Sequence, residues 1–261
     1  MYLRTVYAEP DVAVLQQFIR DDPLGILTTA IKSPIYPLIQ SSHIPFVLDV
    51  PETTDGTSSK GILRGHLAKQ NPQAKALMEA LAASQDEHGD HIKELAEEVM
   101  VLFNGPYHHY VTPKFYVETK PKTGKVVPTW NYSAVQVYGK IRVYCDSKSE
   151  DTASFLQRQL EDLSAHAETA IMGHTGGGEP SAWAVSDAPV PYIEIMKKSI
   201  IGVEIQIDRL DGNFKMSQDK GIGDREGVVQ GFESMNTDVG EGMARTIKER
   251  GAMKDRQKYI K

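Results

Sequence analysis

Between Ser133 and Tyr144 the apolar residues Val135, Val137, Ile141 and Val143 fall on one parity, and Gln136, Tyr138, Lys140, Arg142 and Tyr144 fall on the other. A period of two predicts a strand with one buried face. The alternation returns in SIIGVEIQIDRLDGNFKMSQ, where Ile201, Val203, Ile205 and Ile207 point inward; a turn at Asp211-Gly212 and a returning strand are predicted there. LGILTTAI, YPLIQSSHIPFVLDV and GILRGHLA read as further strands, and ETTDGTSSKG as a hairpin loop. EVMVLFNGPYHHYVTP reads as a buried strand, a break at Gly105-Pro106 and a short strand ending at Pro113.

Helical spacing appears in four places. Val14, Leu15, Phe18 and Ile19 recur between Pro10 and Pro23, and Ala74, Leu77, Met78 and Leu81 follow an Asn71-Pro72 start signal. Phe155, Leu156, Leu160 and Leu163 share one face of a helix over 151–167, and Asp224 caps a last helix, DREGVVQGFESM. HTGGGEPSAWAVSDAPVP reads as a long loop. Short, even strands interrupted by a few helices predict an α+β, mainly β chain: a β-barrel core with peripheral helices, not a doubly wound sheet. The predicted domain covers 1–235, and 236–261 is a C-terminal extension or tail.

Composition narrows the chemistry. With 261 residues, 40% hydrophobic and 25% charged, the chain can bury a real core. It has no apolar run long enough to span a bilayer and no signal-peptide pattern, which predicts a cytoplasmic protein, nuclear access being left open. A single cysteine, Cys145, rules out an intrachain disulfide and a CxxC site, so redox chemistry has to come from a cofactor. A net charge of -6 and the lack of a helix-turn-helix pattern do not support direct DNA binding. Neither GxGxxG after a strand nor GxxxxGK[ST] is present. His88-x-x-His91 has metal-like spacing but no third ligand in register, so no metal site is predicted.

Polar clusters recur at strand ends: Ser41-Ser42-His43, Gly65-His66 through Lys69, Pro128-Thr129-Trp130-Asn131-Tyr132, and Lys215 with Ser217 and Gln218. Lysine, hydroxyl and amide donors suit a phosphate dianion, and an aromatic wall suits a flat heterocycle; together they could hold FMN. Core packing of Trp130 at a strand entrance is the competing reading of the third cluster.

HIPF at 43–46, GHLAKQNPQ at 65–73, LFNGPYHHYVTPKFY at 102–116, VPTWNYSAVQVYG at 127–139 and GVEIQIDRLDGNFKMSQDKGIGDREGVVQGF at 202–232 occur in the order of the PaiB family, which the chain resembles. That family is described as FMN-binding negative transcriptional regulators. The resemblance implies a split β-barrel of the kind shared with pyridoxamine-phosphate oxidases, dimeric, with flavin sites formed between subunits. It places Ser42, His43, His66, Lys69, Pro128, Thr129, Trp130, Asn131, Tyr132, Lys215 and Gln218 around the cofactor. Lys69 with Thr129 or Ser42 is expected at the phosphate, and Trp130, Asn131 and Lys215 nearer the ring. Phe115 stands where the family often has Trp.

Three functions follow: a flavin-dependent oxidoreductase, a flavin-responsive regulator acting without turnover, and haem binding or breakdown through His108 or His109. His43, His66 and Tyr132 have the groups for acid or base work, and no one of them is singled out by the sequence. The substrate is a small molecule of unknown identity.

Overall fold

A computed structural model describes residues 1–52, 59–83 and 93–258 of the protein. Along the chain run β1 (Ala8–Glu9), α1 (Val12–Asp21), β2 (Leu24–Ala30), β3 (Ile39–Pro45), β4 (Val47–Asp49), β5 (Ile62–Ala68), α2 (Pro72–Ala82), β6 (Val99–Asn104) and β7 (His109–Val111). They are followed by α3 (Thr119–Thr123), β8 (Thr129–Tyr144), α4 (Glu150–His166), α5 (Val190–Lys198), β9 (Ile200–Lys215), α6 (Ile222–Glu233) and α7 (Asp238–Lys258). The chain divides into two compact units. A sheet unit holds Gln16–Phe103 and Gln136–Leu210, and a helical unit holds Met1–Leu15, Asn104–Val135 and Asp211–Lys261.

In the sheet unit the strand order is β3-β2-β6-β8-β9-β5-β4. β2 pairs antiparallel with β3 and with β6, and β5 pairs antiparallel with β4 and with β9. The two ends of this order, β3 and β4, are consecutive in the chain with only Phe46 between them. A sheet whose first and last strands are joined by one residue has to curl, and the inward side chains then fill the space it encloses. Phe46 is 1% exposed, donates its N–H to the Pro23 carbonyl at 2.9 Å, and meets Phe103 edge to face at 6.0 Å between centroids. This is a split barrel, and the chain is α+β, mainly β.

Two helices are fixed to the sheet by buried polar groups. Asn71 caps α2 by accepting from the Gln73 N–H at 2.8 Å, with Pro72 at the first helical position. The Gln73 amide, 1% exposed, then donates to the Leu27 carbonyl, the Thr29 hydroxyl and the Gln40 carbonyl. Arg64, 2% exposed on β5, reaches Asp49 and Asp162 at 2.6 Å each, and the second of these anchors α4.

The helical unit packs α6 and α7 against β7 and the turn after β9. Val111, Tyr116, Met216, Val228, Phe232, Met243, Ala244 and Ile247 form its core. The segment read as an extension after residue 235 is therefore, over Asp238–Lys258, a helix with buried residues. Glu9 on β1 pairs with Arg250 of α7, whose guanidinium lies 3.4 Å over the Phe214 ring.

Four local expectations differ from the structure. Asp224 lies in the first turn of α6, whose N-cap is Gly221, and accepts from the Glu118 and Thr119 N–H groups; α7 then follows, so this helix is not the last. β9 runs unbroken through Asp211-Gly212 instead of turning there. A Cβ on Gly212 would sit 2.1 Å from Leu15 Cδ2, so the glycine answers a close approach inside a strand and not a turn. The strand read over 36–50 is two strands, broken at Phe46. The long loop at 174–191 contains a short turn of helix at Val185–Asp187 and runs into α5. His88 and His91, and residues 53–58 of the predicted hairpin loop, lie outside the described residues.

Candidate functional site

The predicted site residues fall into two groups, one in each unit. In the helical unit, β7 pairs with the entrance of β8 in the register His109↔Asn131, Tyr110↔Trp130 and Val111↔Thr129. Side chains alternate across this hairpin, so Trp130 and Tyr110 share one face and Thr129 and Asn131 the other. Trp130 is 51% exposed, stacked on His108 at 6.3 Å and edge-on to Tyr110 at 6.4 Å. It is not a core residue. Pro128 is exposed just before the strand. His109 bonds the Tyr110 carbonyl at 2.8 Å and packs edge-on to Phe232, while His108 is exposed.

On the other face, Asn131 is fully buried and donates to the Ser217 hydroxyl at 2.9 Å. Ser217 has φ +61, a left-handed conformation unusual for a residue with a side chain. Gln218, 4% exposed, closes the same turn: it accepts from the Met216 N–H at 2.7 Å and donates to the Phe214 carbonyl at 2.5 Å. Lys254 of α7 donates to the Gln218 carbonyl. Asn131 and Gln218 thus hold the backbone of residues 214–218 in place. Asn213 donates to the Tyr132 hydroxyl at 2.9 Å, and Lys215 donates to the Thr129 hydroxyl. Burial lowers the pKa of Lys215, which indicates a cation with less water around it than it prefers.

In the sheet unit, Ser42 and His43 lie on β3, His66 on β5, and Lys69 in the turn between β5 and α2. Asn71 donates its amide to the Ser42 hydroxyl at 2.9 Å, so the α2 cap also fixes β3. The Lys69 N–H donates to the Ser199 carbonyl at 2.8 Å, and the Lys69 charge reaches Cys145, whose thiol burial pushes up. His43 is exposed. His66 Nδ1 is buried and has no hydrogen-bond partner among the described residues. Burial also lowers the His66 pKa, so the ring is neutral and keeps one donor and one acceptor nitrogen. The orphaned ring nitrogen of His66 on β5, Lys69 in the turn that follows, and Ser42 with the exposed His43 on β3, a strand not paired with β5, are the donor and acceptor types that suit a ligand carrying both a phosphate and a heterocycle.

Sequence reading missed Asn71 as the residue that organises Ser42, although its capping signal was visible. It also missed Arg4, Tyr7, Tyr116 and Lys220, which gather around Asp219 in the helical unit and have no local motif. Among the described residues no cluster of histidine, cysteine or carboxylate side chains could hold a metal, and no helix is long and apolar enough to cross a membrane.

With this geometry in hand, residues 1–209 match a protein-family model described as "Putative FMN-binding domain". The chain belongs to this FMN-binding domain family. An uncharacterised protein of Aspergillus fumigatus is 68% identical over 98% of this chain and 100% of its own length. The Bacillus subtilis protein named protease synthase and sporulation protein PAI 2 is 23% identical over 96% of this chain and 98% of its own, in line with the PaiB resemblance. A solved structure of a conserved hypothetical protein from Mycobacterium tuberculosis aligns with 82% of this chain and 91% of its own, at 12% identity and a TM-score of 0.45.

Proposed function

We propose that the protein binds FMN through the sheet unit and acts as a flavin-dependent oxidoreductase. The observation that carries the reading is the buried, unpartnered Nδ1 of His66 on the same strand and turn as Lys69. Lys69 and the Ser42 hydroxyl are the donors for the phosphate, Asn71 orients Ser42, and His43 and His66 are the groups offered to the heterocycle or to a substrate over it. FMN supplies hydride and electron transfer when bound; the protein binds it, orients it and keeps His66 neutral. Membership of the family supports this cofactor over haem, and His109 is engaged by the Tyr110 carbonyl and Phe232.

The Lys69→Ala variant tests the assignment. Loss of one charge-assisted contact weakens FMN by about 1.5–3 kcal/mol in a fluorescence titration, and an affinity equal to wild type would remove Lys69 from the site. The protein works as a homodimer in this reading, supported by the exposed apolar residues Ile35, Leu38 and Ile39 along and before the edge strand β3. Light scattering should give twice the chain mass for wild type and one chain mass for Ile39→Lys.

A further inference from the structure

In the helical unit a group of hydrogen-bond donors surrounds one carboxylate. Tyr7, 6% exposed, hydrogen-bonds Asp219, and Lys220 Nζ lies 3.2 Å from Asp219 Oδ2 and 5.3 Å over the Tyr116 ring. The Arg4 guanidinium lies 5.2 Å over the Tyr7 ring, and Lys215 feels the charges of Asp219, Lys220 and Arg4. Asp224, which also acts on Tyr116, is engaged by the Glu118 and Thr119 N–H groups at 2.8 and 3.1 Å. Arg4, Lys215 and Lys220 thus meet two carboxylates, Asp219 and Asp224, which leaves one positive charge in excess. A second observation is independent of that balance: Tyr116 is 3% exposed and its hydroxyl has no hydrogen-bond partner among the described residues. Buried donors are ordinarily satisfied, so this hydroxyl, in a cluster with one positive charge in excess, has an acceptor still to find.

The backbone presenting these groups is held in an unfavourable conformation. Ser217 stays at φ +61 because Asn131, Gln218 and Lys254 fix the turn from three sides. Such strain persists where surroundings over-determine it, and it fixes the positions of Lys215, Asp219 and Lys220 before any ligand arrives.

We propose that Arg4, Tyr116, Lys215 and Lys220 form a binding site for the compact oxyanion, carboxylate or phosphate, of a small-molecule substrate, separate from the FMN phosphate. Asp219 and Asp224 neutralise two cations of the group and the oxyanion neutralises the third. Tyr7 holds Asp219 and Thr129 holds Lys215.

The test is a calorimetric titration of the full chain with inorganic phosphate, and in parallel with acetate, at constant ionic strength, on both the flavin-free and the FMN-saturated protein. Saturable binding near one per chain is expected in both forms. Lys215→Met and Lys220→Gln should each weaken it about tenfold, and Asp219→Asn should tighten it several-fold. The Lys220 side chain is 29% exposed, so Lys220→Gln carries the test if Lys215→Met does not fold. Absence of saturable binding by either anion, or equal affinity in all variants, would overturn the proposal. Displacement of phosphate by FMN would also overturn it, assigning the cluster to the flavin. Because the flavin-free chain is titrated as well, failure of the FMN reading leaves this result separately readable.

Discussion

The sheet unit and the helical unit both bury polar side chains, but to different ends. In the sheet unit Gln73 and Arg64 attach helices to strands, each with several partners, and the buried atoms without one among the described residues include His66 Nδ1, Gln40 Nε2, Gln73 Oε1 and Gln159 Nε2. In the helical unit Asn131, Ser217 and Gln218 lock a turn, and the buried atoms without a partner among the described residues are the Tyr116 hydroxyl and Asn213 Oδ1, with the partly desolvated Lys215 held by Thr129 nearby. The difference teaches where to look for function. Paired buried groups explain the architecture, and His66 and Tyr116 are the unpaired ones on which the proposed flavin and oxyanion sites are built.

The strongest way to break the comparison is to disturb the sheet itself. A Cβ on Gly139 would fall 1.9 Å from the Gln206 carbonyl oxygen, backbone that no rotamer change can move aside. Gly139→Ala should cost about 4 kcal/mol or more, read as lost soluble expression or a lowered urea midpoint. An unfolding free energy within about 1 kcal/mol of wild type would mean that the two strands part easily there.

A smaller effect separates turn from core. Asn131→Ala leaves the Ser217 hydroxyl without its buried donor and should cost about 1–3 kcal/mol, with faster hydrogen exchange confined to residues 214–220. Trp130→Ala, at a half-exposed position, should cost less than about 1 kcal/mol. A larger loss at Trp130 than at Asn131 would reverse the roles assigned to the two faces of the hairpin.

The smallest effect is a pH slope. The folded His66 ring has a pKa below the ordinary value of about 6.5, so the unfolded chain takes up its proton first as pH falls. Stability is therefore full above about pH 6.5 and declines as pH drops from there toward the folded pKa. His66→Gln should flatten that part of the curve, and an unchanged slope would place the titration elsewhere.

The alternating strands were legible from sequence because burial of one face leaves a period of two, as at Val135, Val137, Ile141 and Val143. The start of α2 was legible because capping is local. Polar pairing was not: Asn131 and Ser217 are 86 residues apart, and nothing in either neighbourhood names the other. Asp211-Gly212 looked like a turn because the close approach of Leu15 to Gly212 is equally invisible in the local sequence. The strand-end clusters read as groups of donors in the sequence, but which members serve the fold depends on such distant contacts. Asn131 and Gln218 looked no different in sequence from Lys69.

The most direct test of the central claim is the absorbance spectrum of the purified protein before and after addition of FMN, with mass spectrometry of any small molecule released on denaturation. Binding of FMN at about one per chain, lowered in Lys69→Ala and in His66→Gln, is the predicted result. A chain that takes up no flavin even with FMN in excess, or that takes it up equally well in both variants, would contradict a flavin site built on the donors of the sheet unit.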